Sequence, residues 1–174
     1  MAAMSDKPTI HDVIEELVPP VEDDRYADPI AARKKAMNYL ARREYGHREL
    51  CVKLETAGFL PDVAAAAVEQ LRQDGLQDDG RFVSNFVQSR INQGKGPVVV
   101  RADLRQRGIA TGLVEEVLVG SGQDWHKLAR EVRHKKFGTA LPPDFKEKAR
   151  QMRFLQYRGF EPDHIQAAVG ADDD

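Results

Sequence analysis

Bond-making chemistry needs a nucleophile beside a base, a set of metal ligands, or a loop that cradles phosphate, and this 174-residue sequence offers each only in fragments. Cys51 is the single cysteine, and His47 stands one helical turn before it, close enough for an imidazole to reach a thiol. His47 is the only base this spacing supplies, and a small thiol next to Leu50 in a helix reads as core packing. Asp78 and Asp79 are adjacent carboxylates, but a metal-binding loop would supply further oxygen ligands and none follows. The histidines, His11, His47, His126, His134 and His164, show no metal-ligand spacing; His126 and His134 lie among lysines and arginines that repel a cation. The run QGKGP at 93–97 lacks the strand and the GKS or GKT ending of a phosphate loop, so Lys95 keeps only a basic loop's capacity to touch a phosphate. These fragments predict a non-enzymatic protein with no catalytic residue, metal or cofactor.

The bases carry more information. The net charge of −2 combines −6 over residues 1–32 and −3 over residues 172–174 with a body, residues 33–171, that holds 24 bases against 17 acids. A basic body between acidic ends points to an anionic partner, nucleic acid above all, with the acidic segments solvating or shielding the basic surface. Lys34, Lys35 and Arg42 form a stripe at three-to-four spacing, and Arg48 and Lys53 follow it. Arg81, Lys95, Arg101, Arg105 and Arg107 continue the series. Lys127, Arg130, Arg133, Lys135 and Lys136, then Lys146, Lys148, Arg150 and Arg153, complete it. Any one of them alone reads as a solvated side chain; their recurrence predicts a positive track suited to a phosphate backbone or an acidic protein groove. Arg90 stands apart, four residues after Phe86 on an apolar face, and is expected to tie its unit to a neighbour through a carboxylate or carbonyls. Trp125 heads an apolar stripe with Leu128, Ala129 and Val132 and is assigned to packing rather than base stacking.

The elements that position these residues repeat. Gly58, Gly108 and Gly159 are 50 and 51 residues apart, each followed by an apolar residue and preceded by a helical pattern such as Leu50 and Leu54 or Val100 and Leu104. In the central unit Asp78 or Asp79 caps a first helix whose stripe is Phe82, Val83, Phe86 and Val87. Pro97 starts a second helix, Gly108 ends it with a left-handed residue, and a third spans about 110–119. The expected fold is all-α: three tandem three-helix units, at 30–75, 76–120 and 121–170, in an elongated, curved array. First helices are expected near 31–44, 79–92 and 124–136. An acidic segment, 1–29, expected to be flexible, precedes the units and an acidic tail, 171–174, follows; within the former, Thr9 to Val18 carries a short amphipathic pattern closed by Pro19 and Pro20, and VEDDRYADP after it reads as linker. There is no apolar run near twenty residues and no signal-peptide pattern, and with one cysteine the chain is expected in the cytoplasm.

The run GLQDDGRFVSNFVQSRINQGKGP, followed by DLRQRGI, resembles the central signature of the RecX family, regulators of the RecA recombinase, and AMNYLARREYGHRELCVKLETAGF resembles its first unit. The likeness covers residues 31–170, specific in two units and looser in the third; VVVRAD is more β-branched than the family's second helix. The resemblance implies binding, as a monomer, to the RecA filament on single-stranded DNA, with weak, non-specific affinity for the single strand itself. It implies inhibition of the filament's recombinase, ATPase and coprotease activities, within the regulation of DNA repair and the SOS response. Two other classes fit three short helices and basic residues. One is a sequence-specific helix-turn-helix regulator, for which the Ala-rich VAAAAVEQL offers no base-reading Asn or Gln; the other is a helical-repeat scaffold, which leaves the bases unexplained.

Overall fold

A computed structural model describes residues 24–170; the Thr9 to Val18 pattern, the acidic segment up to residue 23 and the acidic tail lie outside these residues. After a 3-10 turn, Asp24–Tyr26, come nine α-helices among the described residues: α1 Pro29–Leu40, α2 His47–Thr56, α3 Pro61–Gln73, α4 Asp79–Asn92, α5 Pro97–Gln106, α6 Thr111–Gly120, α7 Trp125–Phe137, α8 Phe145–Tyr157 and α9 Pro162–Val169. They fall into three successive groups of three.

Each group opens in the same way. Asp28, Asp78 and Asp124 sit in extended backbone before α1, α4 and α7, and each carboxylate accepts an amide of the first turn, from Ile30, Arg81 and Lys127, at 2.9 Å. Such a cap contributes about 1 kcal/mol and suits the positive end of the helix dipole. The central stripe Phe82, Val83, Phe86 and Val87 is buried as its spacing requires. Val98 to Arg101 lie in α5, so helical register prevails over β-branched propensity.

Two expectations need correction. The first helix stops at Leu40 instead of running on to Glu44, because Tyr45 is core, 5% exposed and beside Tyr39 at 6.1 Å. Tyr45 stands nine positions after Ala36, so a continued helix would place it about 180° away from that buried alanine. Arg90 does not reach a neighbouring unit: its Nε lies 3.4 Å from Asp103 and its guanidinium covers Phe86, tying α4 to α5 within one unit.

The second helices differ from the first. Neither α2 nor α5 has a side chain of its own at the N-cap, which is Gly46 and Gly96 respectively, and the following unit supplies the missing acceptors. At the first junction Asp79 Oδ1 accepts the His47 amide at 2.8 Å, while buried Gln77 donates to the Tyr45 carbonyl and to Asp79. Asp78 therefore caps its own helix and Asp79 caps the neighbour's. At the second junction the Gly96 and Val98 amides donate to the Arg158 and Gly159 carbonyls at 2.8 and 2.9 Å. The backbones come so close that a Cβ on Gly96 would lie 2.3 Å from the Gly159 oxygen. Gly58, Gly108 and Gly159 all have positive φ, at 110°, 77° and 91°, the left-handed ending that the glycine spacing predicts.

The core divides unevenly. Buried side chains of units two and three, from Phe82 to Val169, form one apolar cluster, whereas unit one keeps its own, built on Ala32, Ala36, Leu50, Leu54, Val68 and Leu71.

Gly96→Ala is predicted to destabilise the protein by about 1–3 kcal/mol in urea unfolding, because rigid backbone faces the new methyl. Gly108→Ala should cost about 1 kcal/mol, since the methyl meets the flexible Arg48 side chain; equal losses would contradict the difference between the two contacts. In hydrogen exchange, Asp79→Ala should accelerate the His47 amide while Asp78→Ala leaves it protected.

Candidate anion-binding surface

The predicted bases separate by what they touch. One group is committed to the fold. Arg81 bonds Glu44 at 3.0 Å and the Gly75 carbonyl, and Arg107 bonds Glu49 at 3.0 Å, both across the first junction. Arg101 holds Glu115 of its own unit at 2.6 Å and Glu161, the N-cap of α9, at 2.5 Å; its bond to Glu115 and that to Glu161 raise its pKa further above the usual arginine value. Arg150 pairs with Glu147 one turn away on α8 at 2.9 Å.

Arg133 leaves the track altogether. It was expected on the exposed side of α7, with Lys127, Arg130, Lys135 and Lys136, but it is 1% exposed. Its guanidinium donates to the Ala140 and Thr139 carbonyls and to Gln151 Oε1 at 3.0, 3.3 and 3.1 Å. The loop between α7 and α8 wraps over it, and the long side chain serves as that loop's hydrogen-bond hub.

The second group stays available. Lys34, Lys35, Arg42, Arg48, Lys53, Lys95, Arg105, Arg130, Lys135, Lys136, Lys146, Lys148 and Arg153 form no ion pair among the described residues, and Lys127 only a 3.9 Å contact with Glu131. The Lys35 and Lys53 ammonium nitrogens lie 5.5 and 5.2 Å from the centre of the Tyr39 ring, cation–π contacts that leave both charges unneutralised. Arg42, placed beyond the end of α1, belongs to the turn before Tyr45 and not to a helical stripe. Lys135 and Lys136 rim a cleft of about 610 Å³ where unit two meets unit three, floored by Ile91, Leu128, Val132 and Phe154.

Three further arginines, outside the predicted track, prove structural. Arg158 donates to the Gly94 carbonyl at 3.2 Å and to that of Gln93, caps the end of α4 and forms a wall of the same cleft. Arg33 pairs with Asp74 at 2.9 Å, and Arg43 pairs with Glu49 while lying 3.6 Å over the Tyr45 ring. The one signal for Arg158 in the sequence is its place just before Gly159.

Two clusters bear on chemistry. His126 converges on the adjacent Asp163 and His164 from far earlier in the chain, with the Asp163 carboxylate 3.4 Å from His126 and 3.8 Å from His164. His164 Nδ1 accepts the Glu161 amide, so its Nε2 carries the proton and turns it toward Asp163, a donor where a metal would need a lone pair. Cys51 Sγ lies 4.0 Å from His47 Nδ1, and His47 Nε2 lies 3.6 Å from Glu69. Burial and the Glu55 charge push the Cys51 thiol up, away from the thiolate a nucleophile needs. Glu69 is held at about 2 by hydrogen bonds from Arg72 and Gln73 and is spoken for by those partners.

Sequence comparison matches three successive descriptions to this chain: the first three-helix domain of RecX at residues 32–71, the second at 78–118 and the third at 124–169. The chain is 45% identical over 144 residues to the regulatory protein RecX of Halorhodospira halophila, covering 83% of this chain and 89% of that one. It is 43% identical over 137 residues to the regulatory protein RecX of Pseudomonas savastanoi, covering 79% and 88%. The fold is shared with a crystal structure of a regulatory protein RecX, at TM-score 0.69 and 20% identity over 90% of this chain and 82% of that one. RecX from Lactobacillus salivarius shares it too, at TM-score 0.67 and 18% identity over 84% and 95%. With all three domains matched in order and close relatives aligned along most of its length, the chain belongs to the RecX family.

Proposed function

We propose that this protein binds the filament that the RecA recombinase forms on single-stranded DNA and restrains it, lowering its ATP hydrolysis, strand exchange and coprotease activity. The observation that carries the reading is the surplus of unpaired cations spread over all three units, after the junction arginines have been set aside. A filament whose nucleic acid adds negative charge attracts such a surface over many weak contacts, and a chain of units can touch more than one subunit at once. Bridging neighbouring subunits favours one state of the filament and opposes the turnover that alternates between states. On this reading the protein acts as a monomer in the cytoplasm and contributes no bond-making step of its own.

The electrostatic part is tested on α7. Replacing Lys127, Arg130, Lys135 and Lys136 by Ala spares the inward stripe, and Arg133 is left in place because removing it would strand carbonyls and Gln151. The variant should stay folded, inhibit RecA's DNA-dependent ATPase roughly tenfold less well at low salt, and show a logarithmic salt slope flatter by about 0.7 per lost phosphate contact. Inhibition curves identical to wild type at every salt concentration would refute the electrostatic mechanism. The absence of an activated thiol is tested separately: Cys51 should react with a disulfide reagent along a pH profile whose midpoint lies above the ordinary 9.0. A midpoint near neutrality would instead reveal a nucleophile primed by His47.

A further inference from the structure

Ten of the twelve aromatic side chains among the described residues have an intramolecular place. Tyr26 meets Phe59, Tyr39 meets Tyr45, Phe82 meets Phe86, Phe137 meets Phe154, Phe160 meets His164, and Trp125 packs on the core. Phe145 and Tyr157 have none. They stand at the two ends of α8, 86% and 85% exposed. Twelve residues of helix put them about 18 Å apart along the axis.

The surface between them is basic. Lys146 and Arg153 are exposed with no ion pair among the described residues, and at about 100° per residue they fall within the arc of roughly 120° that separates Phe145 from Tyr157 around the axis. Glu147, the one acid of the helix, is neutralised by Arg150 on the adjoining side. Leu155 and Gln151 face the core, so the exposed rings are not displaced core residues. Rings at both ends with cations between them match the chemistry of a polyanion that also carries flat apolar faces.

We propose that the outer side of α8 is a stacking platform for a single nucleic-acid strand, with Phe145 and Tyr157 each taking a base and Lys146 and Arg153 holding phosphates between them. The platform deepens the filament reading by giving the chain its own contact with the strand, and it is testable on DNA without the recombinase. Duplex DNA hides its base faces in the stack, so the rings discriminate in favour of single strands.

The test is fluorescence anisotropy of the full chain with a fluorescein-labelled 20-nucleotide oligothymidine and a duplex of equal length, over a salt series. Phe145→Ala with Tyr157→Ala should weaken oligothymidine binding by roughly tenfold per ring, leave its salt slope unchanged, and barely affect the duplex. Lys146→Ala with Arg153→Ala should flatten the slope by about 0.7 per lost contact. Unchanged oligothymidine affinity without the rings would overturn the proposal, and if recombinase inhibition were lost at the same time the platform would be a protein-docking surface instead. Equal weakening on duplex would overturn it too. Wild-type protein that binds oligothymidine through these rings but leaves RecA's ATPase untouched would sustain the platform and refute the filament reading.

Discussion

The free amides at the start of α5 and the free carbonyls at the end of α8 satisfy each other, and much of the structure follows from that exchange. A helix start leaves N–H groups without partners and a helix end leaves carbonyls without partners. Here Gly96 and Val98 donate directly to Arg158 and Gly159, so the positive end of one helix dipole abuts the negative end of the other. The contact needs a residue without Cβ at 96 and a left-handed turn at 159, and it sets units two and three close enough to share one apolar cluster.

The first junction solves the same problem with side chains. Asp79 reaches back to the His47 amide, Gln77 spans to Tyr45 and Asp79, and Arg81 and Arg107 hold Glu44 and Glu49. That polar seam keeps the core of unit one separate from the rest. It also decides what the surface can do. Arginines and acids consumed at the junctions cancel locally, and the charge left over is mostly lysine with a few unpaired arginines, spread along the chain. Exposed lysines and arginines without partners are the groups best able to exchange counterions for phosphates.

The fold was legible because its determinants are local. A glycine every fifty residues, an aspartate before each first helix and apolar stripes at helical spacing each act within one or two turns, and α4 appears with the bounds its pattern predicts. The end of α1 was not legible, because Tyr45 is drawn inward by tertiary packing that no window around it contains. The surface was read less completely for the same reason. Nothing near Arg133 in sequence distinguishes it from Arg130, and only the loop folding over it, from Thr139 to Ala140, makes it a buried hub. Arg101 likewise reaches Glu161 60 positions away and Arg107 reaches Glu49 58 positions away, beyond any spacing argument, whereas Lys34 and Arg153 keep the solvent-facing places their helices assign.

The central claim is that the bases divide into arginines that join units and cations left free for an anionic filament. An electron-microscopic reconstruction of this protein on a RecA filament assembled on single-stranded DNA tests that division directly. The account predicts density linking Lys127, Lys148, Arg153 and others of the unpaired group to phosphates or to acidic side chains, with Arg81, Arg101 and Arg107 still on Glu44, Glu115 with Glu161, and Glu49. Junction arginines that had released their acids to contact the nucleic acid, with the unpaired cations turned to solvent, would contradict it.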